Sequence, residues 1–258
     1  MESILFSKEN GIATITINRP DKANSINREI ALGMQQMLKS CEGDAEVRCI
    51  ILTANGKAFS AGQDLAEATD EGGMTIEQIV NQHYNPIIKL LREVEKPIIC
   101  AVNGFAAGAG ANIALACDIV IAKESAYFLQ AFSKIGLIPD SGGTFTLPRL
   151  VGFAKATALT FLGEKVYAKD AEAMGMIYKF TTDEDFDSEV QKIATKLANM
   201  PTKGIGLTKR AFNKSLANNL DHQLMVEEQL QSDASETFDY KEGVAAFLEK
   251  RAPNFKGE

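Results

Sequence analysis

The sequence predicts an α/β fold that closes with a helical C-terminal region. Three observations predict it. Apolar strand-like runs alternate with helical periodicities over most of the chain, glycine-bearing corners join them, and from about Met200 onward only helical periodicity remains. At 258 residues the chain is long enough to bury a substantial core.

The alternation in "GIATITIN" marks a strand, and "NREIALGMQQMLKSCEGD" then places Ile30, Met34, Met37 and Leu38 near helical spacing. "VRCIILTAN" reads as the next strand. The same order repeats with a helix through "IVNQHYNPIIKLLREVE", a strand "KPIICAVN", a helix "ANIALA" and a strand "CDIVIAKE". Strands separated by helices imply crossover connections, hence an α/β sheet. The remaining helices are expected in "GIGLTKRAFNKSLANNL", "DHQLMVEEQLQSDAS" and "YKEGVAAFLEKRA". The expected division is a core over residues 1–199 and a helical region over 200–258.

A formal net charge of -7 disfavours nonspecific binding to nucleic acid or to anionic membranes, because both need clustered Lys and Arg against phosphates. The start, "MESILFSKENGIATITINRP", has no basic segment leading into a long apolar one, and no stretch approaches the roughly 20 apolar residues of a membrane span. A cytoplasmic protein is expected. Cys41, Cys49, Cys100 and Cys117 lack CxxC spacing and sit in apolar or helical contexts, so buried thiols are expected, with neither a zinc site nor a disulfide framework.

Three corners carry the small residues that let a backbone approach a ligand: "GKAFSAGQDL", "NGFAAGAGANIAL" and "KIGLIPDSGGTFTLPRLVG". The second runs from strand to helix and so presents unpaired N–H groups to something negative. Gly104, Gly108 and Gly110 give GxxxGxG, not the GxGxxG of a dinucleotide site, although Glu124 lies 20 residues beyond Gly104 where a ribose-binding acid is expected. No GK[ST] closes any corner, which excludes a P-loop. Ser60 and Ser141 lack the GxSxG elbow. His83, in "NQHYNP", reads either as a pocket residue or as a capping or packing one, and His222 as a solvated one.

Together the corners resemble the crotonase superfamily, the enoyl-CoA hydratase/isomerase family. The resemblance extends from "ITINRPDKANSIN" through "GKAFSAGQDL", "KPIICAVNGFAAGAGANIALACDIVIA" and "KIGLIPDSGGTFTLPRLVG" to "EGVAAFLEKRAPNFK". It implies a spiral of ββα units with a helical C-terminal region, assembly as a homotrimer or a dimer of trimers, and an acyl-CoA thioester as substrate. No separate cofactor and no metal are implied, since coenzyme A is part of the substrate. By motif position the two backbone N–H groups that hold the thioester oxygen belong to Gln63 and Ala109. Two rigid donors stabilise the enolate that forms when a proton leaves the carbon beside the thioester.

Hydratases of this family carry two glutamates, and the corresponding positions here are Asn112 and Phe132. The resemblance leaves Asp140, in "IPDSGG", as the catalytic base of an isomerase; read without it, the same residue is a helix N-cap or turn residue. Within the family, "NQHYNPIIKLLR" and "FLQAFSKIGLIPDSGGTFTLPRLVG" are most similar to the ring-epoxide isomerase branch of phenylacetate degradation, with Phe105, Phe132 and Phe145 as candidate pocket walls. Coenzyme A is expected at Lys22, Ala23 and Asn24, the substrate or its coenzyme A also at Ala61, Gly62, Asp64, Leu65 and Phe132, and the nucleotide of a neighbouring subunit at Phe247 and Lys250. Hydration of an enoyl-CoA is the alternative activity, and an RNA-binding relative or a dinucleotide-dependent oxidoreductase the more distant ones. The first helix carries only Arg28 and Lys39 as basic residues, which disfavours RNA.

Overall fold

The computed structural model describes residues 2–258; Met1, the first residue of the expected core, lies outside them. In chain order the strands are β1 (Ile4–Glu9), β2 (Ile12–Ile17), β3 (Cys49–Ala54), β4 (Ala58–Ser60), β5 (Ile98–Val102), β6 (Phe105–Ala107), β7 (Ile119–Lys123), β8 (Tyr127–Leu129), β9 (Lys165–Tyr167) and β10 (Lys179–Thr181). Six form one sheet in the order β1-β2-β3-β5-β7-β10, and four form a second in the order β4-β6-β8-β9. The large sheet is parallel except for the β1–β2 hairpin.

The spiral follows from how each unit is spent. β3, β5 and β7 enter the large sheet, and within a few residues β4, β6 and β8 follow in the small one. A helix then carries the chain to the next turn: Asn85–Glu93 after β4, Ala109–Ala116 after β6, and Gly143–Val151 with Phe153–Leu162 after β8. Both faces of the large sheet are covered at β3, β5 and β7, which is why those central strands are apolar almost without interruption. Ile50, Leu52, Ile98 and Cys100 face the main core, while Ile51, Ile99, Ala101 and Ile121 pack on Phe186, Val190 and Ala194 of the helix Phe186–Ala198. Each fully buried isoleucine contributes about 1.5–3 kcal/mol. All four cysteines are free and buried among these residues.

The hairpin supplies a strand that the alternation in "GIATITIN" does not announce. β1 is an edge strand with mostly exposed side chains. Its signal lies in Asn10–Gly11, both at positive φ as a two-residue I′-type loop requires.

The helical stretch 76–93 contains a π-helical turn at Val80–Tyr84. Pro86 has no N–H to give the carbonyl four residues earlier, that of Gln82. Gln35 compensates: its Nε2 donates to the Gln82 carbonyl at 2.8 Å and to the His83 carbonyl at 3.1 Å. The turn is therefore held from outside the helix, and it sets the direction in which Tyr84 leaves it.

Helices Thr202–Ser215, Leu220–Ser235 and Phe238–Glu249 make up the C-terminal region, with no strand after β10 among the described residues. No helix there or elsewhere among them is long and apolar enough to cross a membrane. Asp118 fastens the first of these helices to the sheet. Its carboxylate accepts from Lys209 Nζ at 2.7 Å, Arg92 Nη1 at 3.2 Å and the Ile98 N–H at 2.9 Å. Lys209 is only 6% exposed, so Asp118→Ala leaves a cation stranded out of water. We expect a loss of about 3–5 kcal/mol in urea unfolding. A second change, Lys209→Met, recovers part of it, and an unchanged midpoint in the single variant refutes the account.

Candidate active site

The cavity begins at the loop after β4. Ile26 and Gln63 form an isolated parallel bridge: the Ile26 N–H donates to the Gly62 carbonyl at 2.7 Å and the Asp64 N–H to the Ile26 carbonyl at 2.9 Å. Ala61 N–H donates to the Ala23 carbonyl at 2.9 Å, and Gly62 N–H to Ser60 Oγ at 3.1 Å. Among the backbone donors from Ala61 to Asp64 only the N–H of Gln63 is unused; it lies between two bridging bonds, in a residue that lines the cavity. Arg19 pairs with Asp64, whose carboxylate also caps the short helix Leu65–Ala68. Burial opposes ionisation of Asp64, yet the guanidinium and the cap bond hold its pKa below the usual carboxylate value.

The second free N–H is that of Ala109, first residue of the helix Ala109–Ala116 and so without an intrahelical partner. Gly108 before it has φ 52° and ψ -126°, a conformation open essentially to glycine alone. The two donors are packed together by small residues. A Cβ on Gly62, itself at φ +89°, would stand 2.8 Å from the Ala107 carbonyl oxygen and 3.4 Å from the Ala109 nitrogen. One on Gly110 would stand 2.6 Å from Ser60 Cβ.

Asp140 lines the same cavity as these groups. It is the one carboxylate among the residues lining a cavity of ≈ 230 Å³, whose walls include Leu65, Ile79, Val80, Phe132 and Leu137. Burial raises its pKa, and the Ser141 hydroxyl, donating to Oδ1 at 3.0 Å, only partly opposes that. Ser141 is buried at φ 50°, a left-handed conformation that costs a serine about 1 kcal/mol or more. Tyr84 also lines the cavity and donates its hydroxyl to Gln63 Oε1, with burial and the nearby Asp140 pushing its pKa up.

The structure brings together Ala61, Gly62, Gln63, Leu65, Ala109, Phe132 and Asp140 as cavity residues. Asp64 stands just behind them. Ala23 and Asn24 support the first loop: Asn24 is fully buried at φ 54°, its Nδ2 donating to the carbonyls of Asn55 and Ala58 and its own carbonyl accepting from Ser60 Oγ at 2.8 Å. Lys22 is exposed in the adjoining 3₁₀ turn Pro20–Lys22. Phe247 and Lys250 are exposed on the C-terminal helix and its cap, away from the cavity lining.

Two of the three candidate wall residues require correction. Phe105 stacks on Tyr127 with centroids 5.5 Å apart, and Phe145 is exposed beneath the Arg149 guanidinium, so only Phe132 reaches the cavity. Phe105 lies in β6, where the small sheet claims its ring, and Phe145 points outward from the first turn of Gly143–Val151. Neither Asn112 nor His83 lines the cavity. His83 is buried in the π turn with no partner on either ring nitrogen, and burial lowers its pKa. His222 is exposed, as its charged surroundings predict. Sequence reading misses several cavity residues, among them Ile79, Val80, Tyr84, Lys134 and Leu137; for Tyr84 the available signal is the proline two places later, just beyond the end of the π turn.

A model of the family described as enoyl-CoA hydratase/isomerase matches residues 7–258. Over 265 aligned residues, covering 100% of both chains, the chain is 46% identical to the 1,2-epoxyphenylacetyl-CoA isomerase of Escherichia coli (strain K12). It is 42% identical to a "Probable enoyl-CoA hydratase" of Rhodobacter capsulatus, over 99% of this chain and 98% of that one. The crystal structure of an enoyl-CoA hydratase from Bacillus anthracis matches with a TM-score of 0.92 at 33% identity, over 99% of this chain and 100% of that one. With two sheets in the spiral order and a family match over nearly its whole length, the chain belongs to the enoyl-CoA hydratase/isomerase family, the crotonases.

Proposed function

We propose that the chain is an acyl-CoA isomerase that works with one carboxylate base, Asp140, and two backbone donors, the N–H groups of Gln63 and Ala109. One observation carries the reading: a single carboxylate, raised in pKa by burial, shares an apolar cavity with two unpaired N–H groups. A 3-enoyl-CoA gives up a Cα proton to Asp140, and the electron pair moves onto the thioester oxygen held by the two donors. The dienolate takes the same proton back at Cγ, and the double bond comes to rest between Cα and Cβ. The base ends as it began, so one carboxylate suffices.

Hydration asks for a second polar group to supply or remove a proton from water. The two positions that hold glutamate in the hydratases are occupied by Phe132, a cavity wall, and by Asn112, which is engaged elsewhere. Hydratase activity is accordingly expected to be slow. The aromatic epoxide 1,2-epoxyphenylacetyl-CoA suits the apolar walls, and the relative at 46% identity carries that name. Coenzyme A then lies along Lys22 and Ala23, with the fully buried Asn24 holding that segment from behind. Residues 1–199 carry the chemistry, and residues 200–258 carry subunit contacts and part of the coenzyme A site, through Phe247 and Lys250 of a neighbouring copy. Phe247, Leu248 and Phe212, at 82%, 74% and 67% exposure, support a homo-oligomer, because solvent-facing apolar groups of that size ask for cover; a homotrimer or a dimer of trimers is the form the resemblance implies.

The test supplies 3-enoyl-CoA and 2-enoyl-CoA separately and follows products by mass spectrometry. Isomerisation of the first with little water added to the second is the expected result. Rapid hydration of the second overturns the reading.

A further inference from the structure

We infer that Asn112 is a positioning residue for the isomerisation: its side-chain amide ties the helix that begins with the Ala109 N–H to the loop that carries Asp140. The inference rests on the reading of Asp140 as the base.

Asn112 sits one turn into Ala109–Ala116 and is 1% exposed. Its Nδ2 donates to the backbone carbonyl of Asp140 at 2.9 Å, and its Oδ1 accepts from Gln130 Nε2 at 2.8 Å. A carbonyl only accepts, so the amide nitrogen must face Asp140 and the amide oxygen must face Gln130; the pair of bonds admits one orientation of the side chain. The Asp140 carbonyl takes a second bond from the Gly143 N–H at 2.8 Å. A Cβ on Gly143 would fall 2.2 Å from Asn112 Nδ2, so the helix Gly143–Val151 starts directly against the amide. The base is thereby held from both sides, by the start of its own following helix and by the helix of the second oxyanion donor.

Proton transfer from Cα requires the carboxylate at reach of that carbon while the thioester oxygen rests on the N–H groups. A displacement of about 1 Å between such groups costs on the order of 10²-fold in rate. The alternative for Asn112 is that it merely satisfies a buried carbonyl. That role affects how much protein is folded; it does not affect how the folded protein ionises or turns over. The same packing accounts for the absence of glutamate here: a longer side chain has no room above Gly143 and offers oxygen where Asp140 needs a donor.

Asn112→Ala removes the amide, and Asn112→Asp keeps its size but loses the donor. In both, kcat for 3-enoyl-CoA per folded enzyme is expected to fall about tenfold to a hundredfold with little change in KM. In Asn112→Ala the acid limb of the kcat/KM profile is expected to move to lower pH as Asp140 gains solvent, whereas the second carboxyl of Asn112→Asp opposes that shift; Tyr84 and Lys134 are the other titratable side chains lining its cavity. Gln130→Met, which frees the amide to turn, gives a smaller change in the same direction and decides the matter should neither Asn112 variant fold. Folded variants with wild-type kcat and an unmoved acid limb, beside an inactive Asp140→Asn, overturn the inference alone. An active Asp140→Asn overturns the base assignment beneath it.

Discussion

Asp140→Asn is expected to lose isomerase activity by about 10²–10⁴-fold, the contribution of a positioned general base. It is expected to melt at a higher temperature than the parent. The two effects share one cause. Burial disfavours the charged carboxylate, so the folded chain holds the Asp140 proton more tightly than the unfolded chain does. That preference stabilises the fold fully below the unfolded pKa of about 3.9 and is lost as the pH rises through the higher folded value. At neutral pH the ionised group is therefore a cost to stability. Asparagine removes the charge and keeps an acceptor for the Ser141 hydroxyl, whose bond to Oδ1 is 3.0 Å. Its advantage in stability should vanish when both proteins are melted at acid pH. Should Asp140→Asn turn over 3-enoyl-CoA normally, Asp140 is a turn residue only.

The unusual backbone around Asp140 fits the same trade. Ser141 and Gly142 both have positive φ, and Gly142 opens the helix Gly143–Val151 without a side-chain cap. A chain selected for stability alone places a capping Asp, Ser or Thr there. Here the aspartate is two residues too early to cap and is turned toward the cavity.

The large sheet was legible in the sequence because buried parallel strands leave long apolar runs, as in "KPIICAV" for β5. The small sheet was not. β4, β6, β8 and β9 are three residues each, too short for an alternation to show, and they are set by neighbours distant in the chain. The glycines marked the corners well, because positive φ and close approach both demand them. What they could not show is which backbone N–H is left over once every other donor has found an acceptor. That follows only from the whole hydrogen-bond pattern, such as the Ile26–Gln63 bridge between residues 37 apart. Tyr84 and Asn112 were hidden for a similar reason, since a π turn redirects the first and the second takes its meaning from Gln130 and Asp140.

Gly62→Ala is expected to lower kcat by about 10²–10³-fold, the loss seen when one oxyanion donor is misplaced. Two things happen at this residue. A side chain at φ +89° strains the backbone by about 1–3 kcal/mol, and the added methyl would meet the Ala107 carbonyl at 2.8 Å. The first is a matter of stability, and Gly72→Ala isolates it: Gly72 has φ +93° and no atom within 4 Å of its Cβ position. Gly72→Ala should lose stability and keep kcat. In Gly62→Ala the contact is with backbone on both sides, so neither partner can swing away as a flexible side chain does. The loop must retreat from β6, and it takes the Gln63 N–H with it. Equal kcat values for the two alanine variants, compared per folded protein, mean that the Gln63 N–H does not hold the thioester oxygen. A large difference means that the glycine is kept for the distance between two donors, not for the turn.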